Sequence, residues 1–193
     1  MIAGHFGFAA MVKAREPQVP LWALMLATVW LDVVFVPLFL TGIETIVPVE
    51  GARGSYGTGI IYADYTHSLI GALVLSGLFA LAFANRWDRR SVLVLGFVSF
   101  SHWLLDLLVH RADMPYLPGN LGHLPRLGLG LWGHPEWVMT MESALVVAGA
   151  LLYWRAARQV ATGTDKGLKR ALLTAWLIGI GGIAVLAMDV MGA

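Results

Sequence analysis

An all-α, polytopic membrane helix bundle, forming a single membrane domain over residues 1–193, is the fold class that the sequence predicts. Three observations predict it. Of the 193 residues, 58% are hydrophobic and only 13% are charged, where soluble domains usually carry about 25% charged residues. The mean hydropathy is +0.72. Apolar runs recur near the length of roughly 20 residues that a helix needs to cross about 30 Å of hydrocarbon. With 13 Lys and Arg and 12 Asp and Glu, the chain cannot coat a soluble domain of this size with charge. Soluble enzymes, nucleic-acid binders and disordered tails are excluded on that ground. A formal charge of +1 adds no bulk attraction to nucleic acid. The absence of Cys removes disulfides and thiolate chemistry together, so any metal would be held by His and carboxylate.

The first fourteen residues, MIAGHFGFAAMVKA, place an apolar stretch ahead of the first charge, the reverse of a signal peptide. Too short to span, they read as a half-helix or re-entrant segment packed against protein, where such backbone is tolerated. Five spans follow, over 21–41, 65–84, 91–109, 137–154 and 171–188. Asp32 interrupts the first, His67 lies in the second, His102 and Asp106 in the third, and Glu142 in the fourth. Pro37 is expected to kink the first span. The loop over 111–136, rich in Pro, Gly and Leu, suits an interfacial flap better than a solvated linker. Trp22, Trp87, Trp132, Trp137 and Trp154 flank the spans as an aromatic belt and are assigned no chemistry.

Orientation follows from the basic residues. Lys13, Arg15, Arg86, Arg89, Arg90, Arg155, Arg158, Lys166, Lys169 and Arg170 share one side if the spans alternate, and only Arg53, Arg111 and Arg126 fall on the other. The N-terminal side is therefore expected in the cytoplasm.

Ionisable groups inside spans are costly and mark function unless a partner explains them. At 1.5 Å per residue, Asp32 and His102 each lie about 16 Å along their spans, Asp106 lies about 6 Å beyond His102, and a helical N-terminal segment carries His5 about 15 Å inward. His67 lies near the outer end of its span, or deeper if that helix begins near Ile60. His102 and Asp106, in SHWLLD, stand four residues apart on one helix face, so both can grip one ion or one can orient the other. The plain alternatives are a His–carboxylate pair that joins two helices, an Asp32 satisfied locally by Thr28, and a His67 that caps a helix at the interface. Asp64, three residues before His67, reads as a supporting carboxylate or a surface group. Glu142 is a candidate for proton transfer or for pairing with Arg111 or Arg126. His110 and Arg111, at the outer end of the third span, are candidates to receive a substrate's anionic headgroup. His123 and His134 read as loop residues.

At these residues the chain resembles the YdjM-like family of bacterial inner-membrane proteins, described as membrane-bound metal-dependent hydrolases. GHFG with His5, WLD with Asp32, THSL with His67 and SHWLLD with His102 and Asp106 occur in the family's order over the first 110 residues. LVHRADMPY and GLGLW are also similar to members labelled permeases. The resemblance implies a helical bundle with a His/Asp metal centre.

His5, Asp32, His67, His102 and Asp106 are thus the expected ligands, with Zn²⁺ favoured first and Mn²⁺ or Fe²⁺ next. Five groups exceed the three protein ligands of a typical catalytic zinc, leaving room for two ions or for one residue as base. The expected activity is hydrolysis of an ester or phosphoester of a lipid-like or small-molecule substrate by metal-activated water, with Asp106, Asp32 or Glu142 in proton transfer. The rival is a small transporter or permease in which the same groups bind a cation or relay protons. The partners are membrane lipid and, for a transporter of this size, further copies of the chain.

Overall fold

The structure, a computed structural model, describes residues 1–49, 57–160 and 165–191. Arg53, one of the cations expected on the outer side, lies outside the described residues. The element order is α1 (Ile2–Arg15), α2 (Leu21–Thr28), α3 (Trp30–Leu40), β1 (Thr45–Pro48), β2 (Gly59–Tyr62), α4 (Leu69–Leu81), α5 (Arg89–Val109), α6 (Pro135–Val160) and α7 (Asp165–Met191). The described residues are mostly helical, as expected, and include one antiparallel strand pair in which Thr45 faces Tyr62 and Pro48 faces Gly59. The β-branched runs TIVP and GIIY favour this pairing.

Within the described residues α5, α6 and α7 are long and apolar enough to cross a membrane, and α2 with α3 makes a fourth span if the bent pair counts as one. The expectation of five spans is not met by α4. Its 13 residues rise about 20 Å, short of the roughly 30 Å hydrocarbon layer. The missing turn lies between Tyr65 and Ser68, a polar YTHS stretch within the expected span that is spent on a tight approach. The Ser68 side chain accepts from the Gly71 N–H at 3.1 Å and caps α4. The loop carbonyls of Pro115 and Tyr116 accept the Leu69 and Ile70 N–H groups at 2.9 and 3.1 Å. A strand, not a helix, occupies the region near Ile60.

The first span bends by 48°, but not at Pro37, which sits inside α3. The break is at Val29, whose φ of −117° and ψ of 12° leave the helical basin. Its consequence is an open carbonyl at Thr28, the kind of helix-end acceptor that needs an outside partner. The C-terminus of α3 closes regularly. Gly42 adopts φ 75°, and the Gly42 and Ile43 N–H groups reach back to the Phe39 and Leu38 carbonyls at 3.0 and 2.9 Å.

The N-terminal segment is helical, as one of the two expected forms. Its stripe of Ala3, Gly4, Gly7 and Ala10 is buried, and the helix packs against α6, α2 and α7. Gly7 lies so close to α6 that a Cβ there would fall 2.5 Å from the Leu145 carbonyl carbon. Below this layer Ala9, Leu24, Ala27, Phe79, Leu95 and Val98 form a core joining α1, α2, α4 and α5. Much of α7 stays bare, with Leu173, Trp176, Leu177, Ile180 and Ile183 each about 60% exposed or more. Hydrocarbon is the solvent such a face suits.

At the basic end of α1, Glu16 receives a two-pronged grip from Arg90, with Nη2 at 2.7 Å and Nε at 3.0 Å. That grip holds the Glu16 carboxyl below its ordinary range. Asp88, which caps α5, is lowered by the Ser91 hydroxyl and by the Ser91 and Arg90 N–H groups. A folded-state pKa below the unfolded one stabilises the fold above the ordinary carboxylate range, and the gain is lost as pH falls through the folded value. Arg90→Ala should therefore lower the thermal midpoint slightly near neutrality and leave it unchanged well below about pH 4, so that the acid limb of the profile becomes shallower. An unaltered acid limb would show that the grip does not form in solution.

Candidate metal centre

Asp106, buried on α5, is the hub of the polar cluster. One oxygen, Oδ2, lies 2.9 Å from His102 Nε2, 3.7 Å from His67 Nε2 and 3.9 Å from His110 Nε2. The other, Oδ1, meets His5 Nε2 at 3.1 Å. Asp32 Oδ1 stands 3.5 Å from both His67 Nε2 and His102 Nε2, and those two nitrogens are 3.3 Å apart. All five expected ligands converge, drawn from α1, α3, α5 and the turn before α4. His67 is no interfacial cap, since it is buried at 5% exposure.

The protons on these imidazoles follow from what lies behind them. His102 Nδ1 faces the Thr28 carbonyl at 2.8 Å. A carbonyl only accepts, so Nδ1 carries the hydrogen and a neutral His102 turns a lone pair on Nε2 towards the cluster. The break at Val29 supplies that carbonyl. His67 Nδ1 faces Thr66 Oγ1 at 2.8 Å, and that hydroxyl donates to Glu44 Oε2 at 2.8 Å, so it accepts from His67. His110 Nδ1 faces Asp113 Oδ1 at 2.9 Å, and the Ile61 N–H holds the other Asp113 oxygen at 3.2 Å. Three rings therefore have their far nitrogens committed as donors, the pattern that orients metal-ligating histidines. His5 differs. Among the described residues its Nδ1 is buried without a partner, while its ring stacks on His102 at 4.0 Å between centroids.

The convergence of lone pairs is the central electrostatic fact. With neutral rings, two imidazole nitrogens and two carboxylates face one another over less than 4 Å, and like acceptors so placed repel unless a cation or added protons lie between them. Two groups, His5/His102/Asp106 and Asp32/His67/His102, have donor atoms within 4.8 Å of one another, spacing suited to a metal ion. A cavity of about 330 Å³ opens onto the cluster. Met1, Ile2, Phe35, Val36, Ile61 and Trp132 form its apolar wall, and His110 joins the polar side. Among the described residues no Lys or Arg lines it.

Other expected site residues lie elsewhere. Glu142 is fully buried on α6, outside the cavity lining, and accepts the Gly4 N–H at 3.1 Å, tying α6 to the start of α1. Its expected pairing with Arg111 or Arg126 is not formed. Arg126 grips both oxygens of Asp64, at 2.7 and 3.1 Å, and Arg111 donates to the Gly57 carbonyl at 2.6 Å. Arg111 does not line the cavity, whereas its neighbour His110 does. The expected flap is pinned down: Met114 pairs with Leu127, and the Leu129 and Gly130 N–H groups bond back to Leu107 and His110 on the end of α5. Trp132, expected only in the aromatic belt, packs on the His110 ring at 4.2 Å. His123 and His134 are exposed loop residues.

Sequence reasoning missed Glu44, Thr66 and Asp113 behind the rings. Asp113, three residues after His110 in HRAD, and Thr66, next to His67, were open to inspection; Glu44 sits in a turn with no periodic cue. No family model, curated protein or solved structure matches the chain.

Proposed function

We propose that the chain is a membrane-embedded, metal-dependent hydrolase of an ester or phosphoester on a lipid-like substrate, resident in a bacterial inner membrane with its N-terminal side in the cytoplasm. The facing lone pairs of His67 and His102 between Asp32 and Asp106 carry this reading, together with the resemblance to the YdjM-like family. His102 offers one free nitrogen, so the two candidate groups that share it cannot each be filled independently. A single ion on Asp32, His67 and His102 would lie beside Asp106, whose Oδ2 is 2.9 Å from His102 Nε2, with His5 bracing Asp106 through an N–H to Oδ1. The mixed nitrogen and oxygen donors favour Zn²⁺, with Mn²⁺ or Fe²⁺ next.

When bound, such a cation supplies Lewis acidity and lowers the pKa of a water to about 7. The chain's own groups do the rest. Asp32 has a side chain 39% exposed, the most open of the ligands, and is placed to take a proton at the cavity mouth. Asp106, held from both oxygens, fixes the geometry. The apolar wall of Phe35, Val36 and Ile61 seats a hydrocarbon portion while His110 meets the reacting group beside Trp132. A volume near 330 Å³ suits the small end of ligand sites, which run about 300–1,000 Å³.

Elemental analysis of protein purified without chelators should find close to one equivalent of transition metal. Clean, folded, metal-free protein that takes up none on titration would end this reading. One observation favours the transport alternative: the span broken at Val29 exposes backbone at the site, as transporter sites do. Transport predicts Asp32-dependent cation uptake into vesicles without turnover of any ester, whereas the hydrolase predicts turnover in detergent.

A further inference from the structure

Glu44 is fully buried in the turn after α3, remote in sequence from every ligand, and all its acceptor capacity points at the segment before α4. Its Oε1 takes two backbone donors, the Tyr65 and Thr66 N–H groups, each at 2.8 Å. Its Oε2 takes one, the Thr66 hydroxyl at 2.8 Å. That hydroxyl has a single proton. Because it is given to Glu44, the oxygen can only accept from His67 Nδ1, and His67 Nε2 is left as a lone pair aimed at His102 and Asp32. The His67 main chain is fixed independently, by Trp103 Nε1 donating to its carbonyl at 2.8 Å. The main-chain position of His67 and the protonation of its ring are therefore set by separate contacts.

We infer that Glu44 is a positioning residue that selects the His67 tautomer through the Thr66 hydroxyl, and so decides whether His67 can ligate a cation. The inference deepens the metal-centre reading and rests on it for its consequence, but not for the tautomer itself. The asymmetry of the three bonds makes the effect of Glu44→Gln directional. Two fixed N–H donors demand an oxygen at the Oε1 position, which forces the amide NH₂ to face Thr66 Oγ1. The hydroxyl then accepts from Gln and donates to His67 Nδ1. The polarity of the chain reverses, and His67 presents N–H instead of a lone pair to the site.

The test uses the full chain in detergent, with Zn²⁺ and Co²⁺ alone as probes and ¹⁵N-labelled histidine. Glu44→Gln should bind Zn²⁺ about 10–100-fold more weakly, the usual cost of altering the support of a metal-bound His. Metal-free, its His67 nitrogen shifts should move from the Nδ1–H to the Nε2–H pattern. Thr66→Val should also weaken binding, and Thr66→Ser, which keeps the hydroxyl, should restore it. A folded Glu44→Gln protein with unchanged tautomer and affinity would overturn the inference. If Glu44→Gln does not fold, equal affinity of the Val and Ser variants at position 66 would overturn it instead. Should the wild type bind no metal, the metal-centre reading fails, and the metal-free nitrogen shifts still decide the role of Glu44.

Discussion

His102→Ala is expected to abolish metal binding and any hydrolytic activity while leaving membrane insertion intact. His102 Nε2 is common to both candidate ligand groups, lies 2.9 Å from Asp106, and has its other nitrogen fully committed to the Thr28 carbonyl. No neighbour can replace it. His5 has an unpartnered Nδ1, but its Nε2 is held by Asp106 Oδ1. The loss should exceed the roughly 10–100-fold that changes behind a ligand produce. It therefore outranks Glu44→Gln in the same titration. Insertion should survive because the 21-residue α5 keeps its apolar run and gains one more apolar residue. Elemental analysis with Zn²⁺ titration checks this, and unchanged metal occupancy would mean that the ion is held elsewhere.

Gly7→Ala is expected to damage the contact between α1 and α6 severely. The new methyl would sit 2.5 Å from the Leu145 carbonyl carbon and 2.7 Å from the Val146 nitrogen, backbone that no rotamer change can move. Separating α1 from α6 should cost about 3 kcal/mol, the upper range for overpacking. It should also carry His5 away from Asp106 and weaken metal binding. Gly77→Ala is the matched control: nothing lies within 4 Å of a Cβ there, so helix propensity should leave stability unchanged or slightly raised. Thermal midpoints in detergent compare the two, and equal midpoints would show that α1 does not pack this tightly.

The legible parts of this molecule were those with a period or a cost. Asp32, His102 and Asp106 stood out because charge in an apolar run is expensive, and the four-residue step in SHWLLD placed two of them on one face. His5 was reachable because fourteen residues of helix bring it to mid-depth. The span expected over 65–84 overestimated α4 because it took in Tyr65–Ser68, a polar YTHS stretch that forms a turn ahead of the helix cap. Pro37 drew attention as the kink, yet the break fell at Val29, where no residue type announces it. Glu44 was invisible as a partner of His67 because 23 residues separate them and the hairpin joining them leaves only weak traces in the sequence. A glycine-closed helix end and a two-stranded pairing together fix its place, and both depend on tertiary contacts.

The break at Val29 has a thermodynamic side. A continuous helix from Leu21 to Leu40 would reclaim the Thr28 carbonyl for its own ladder and strand the hydrogen on His102 Nδ1 in a dry interior. Straightening this segment and disarming the imidazole are therefore one event, and a cation gripped by His102 would act as a pin that keeps the rod bent.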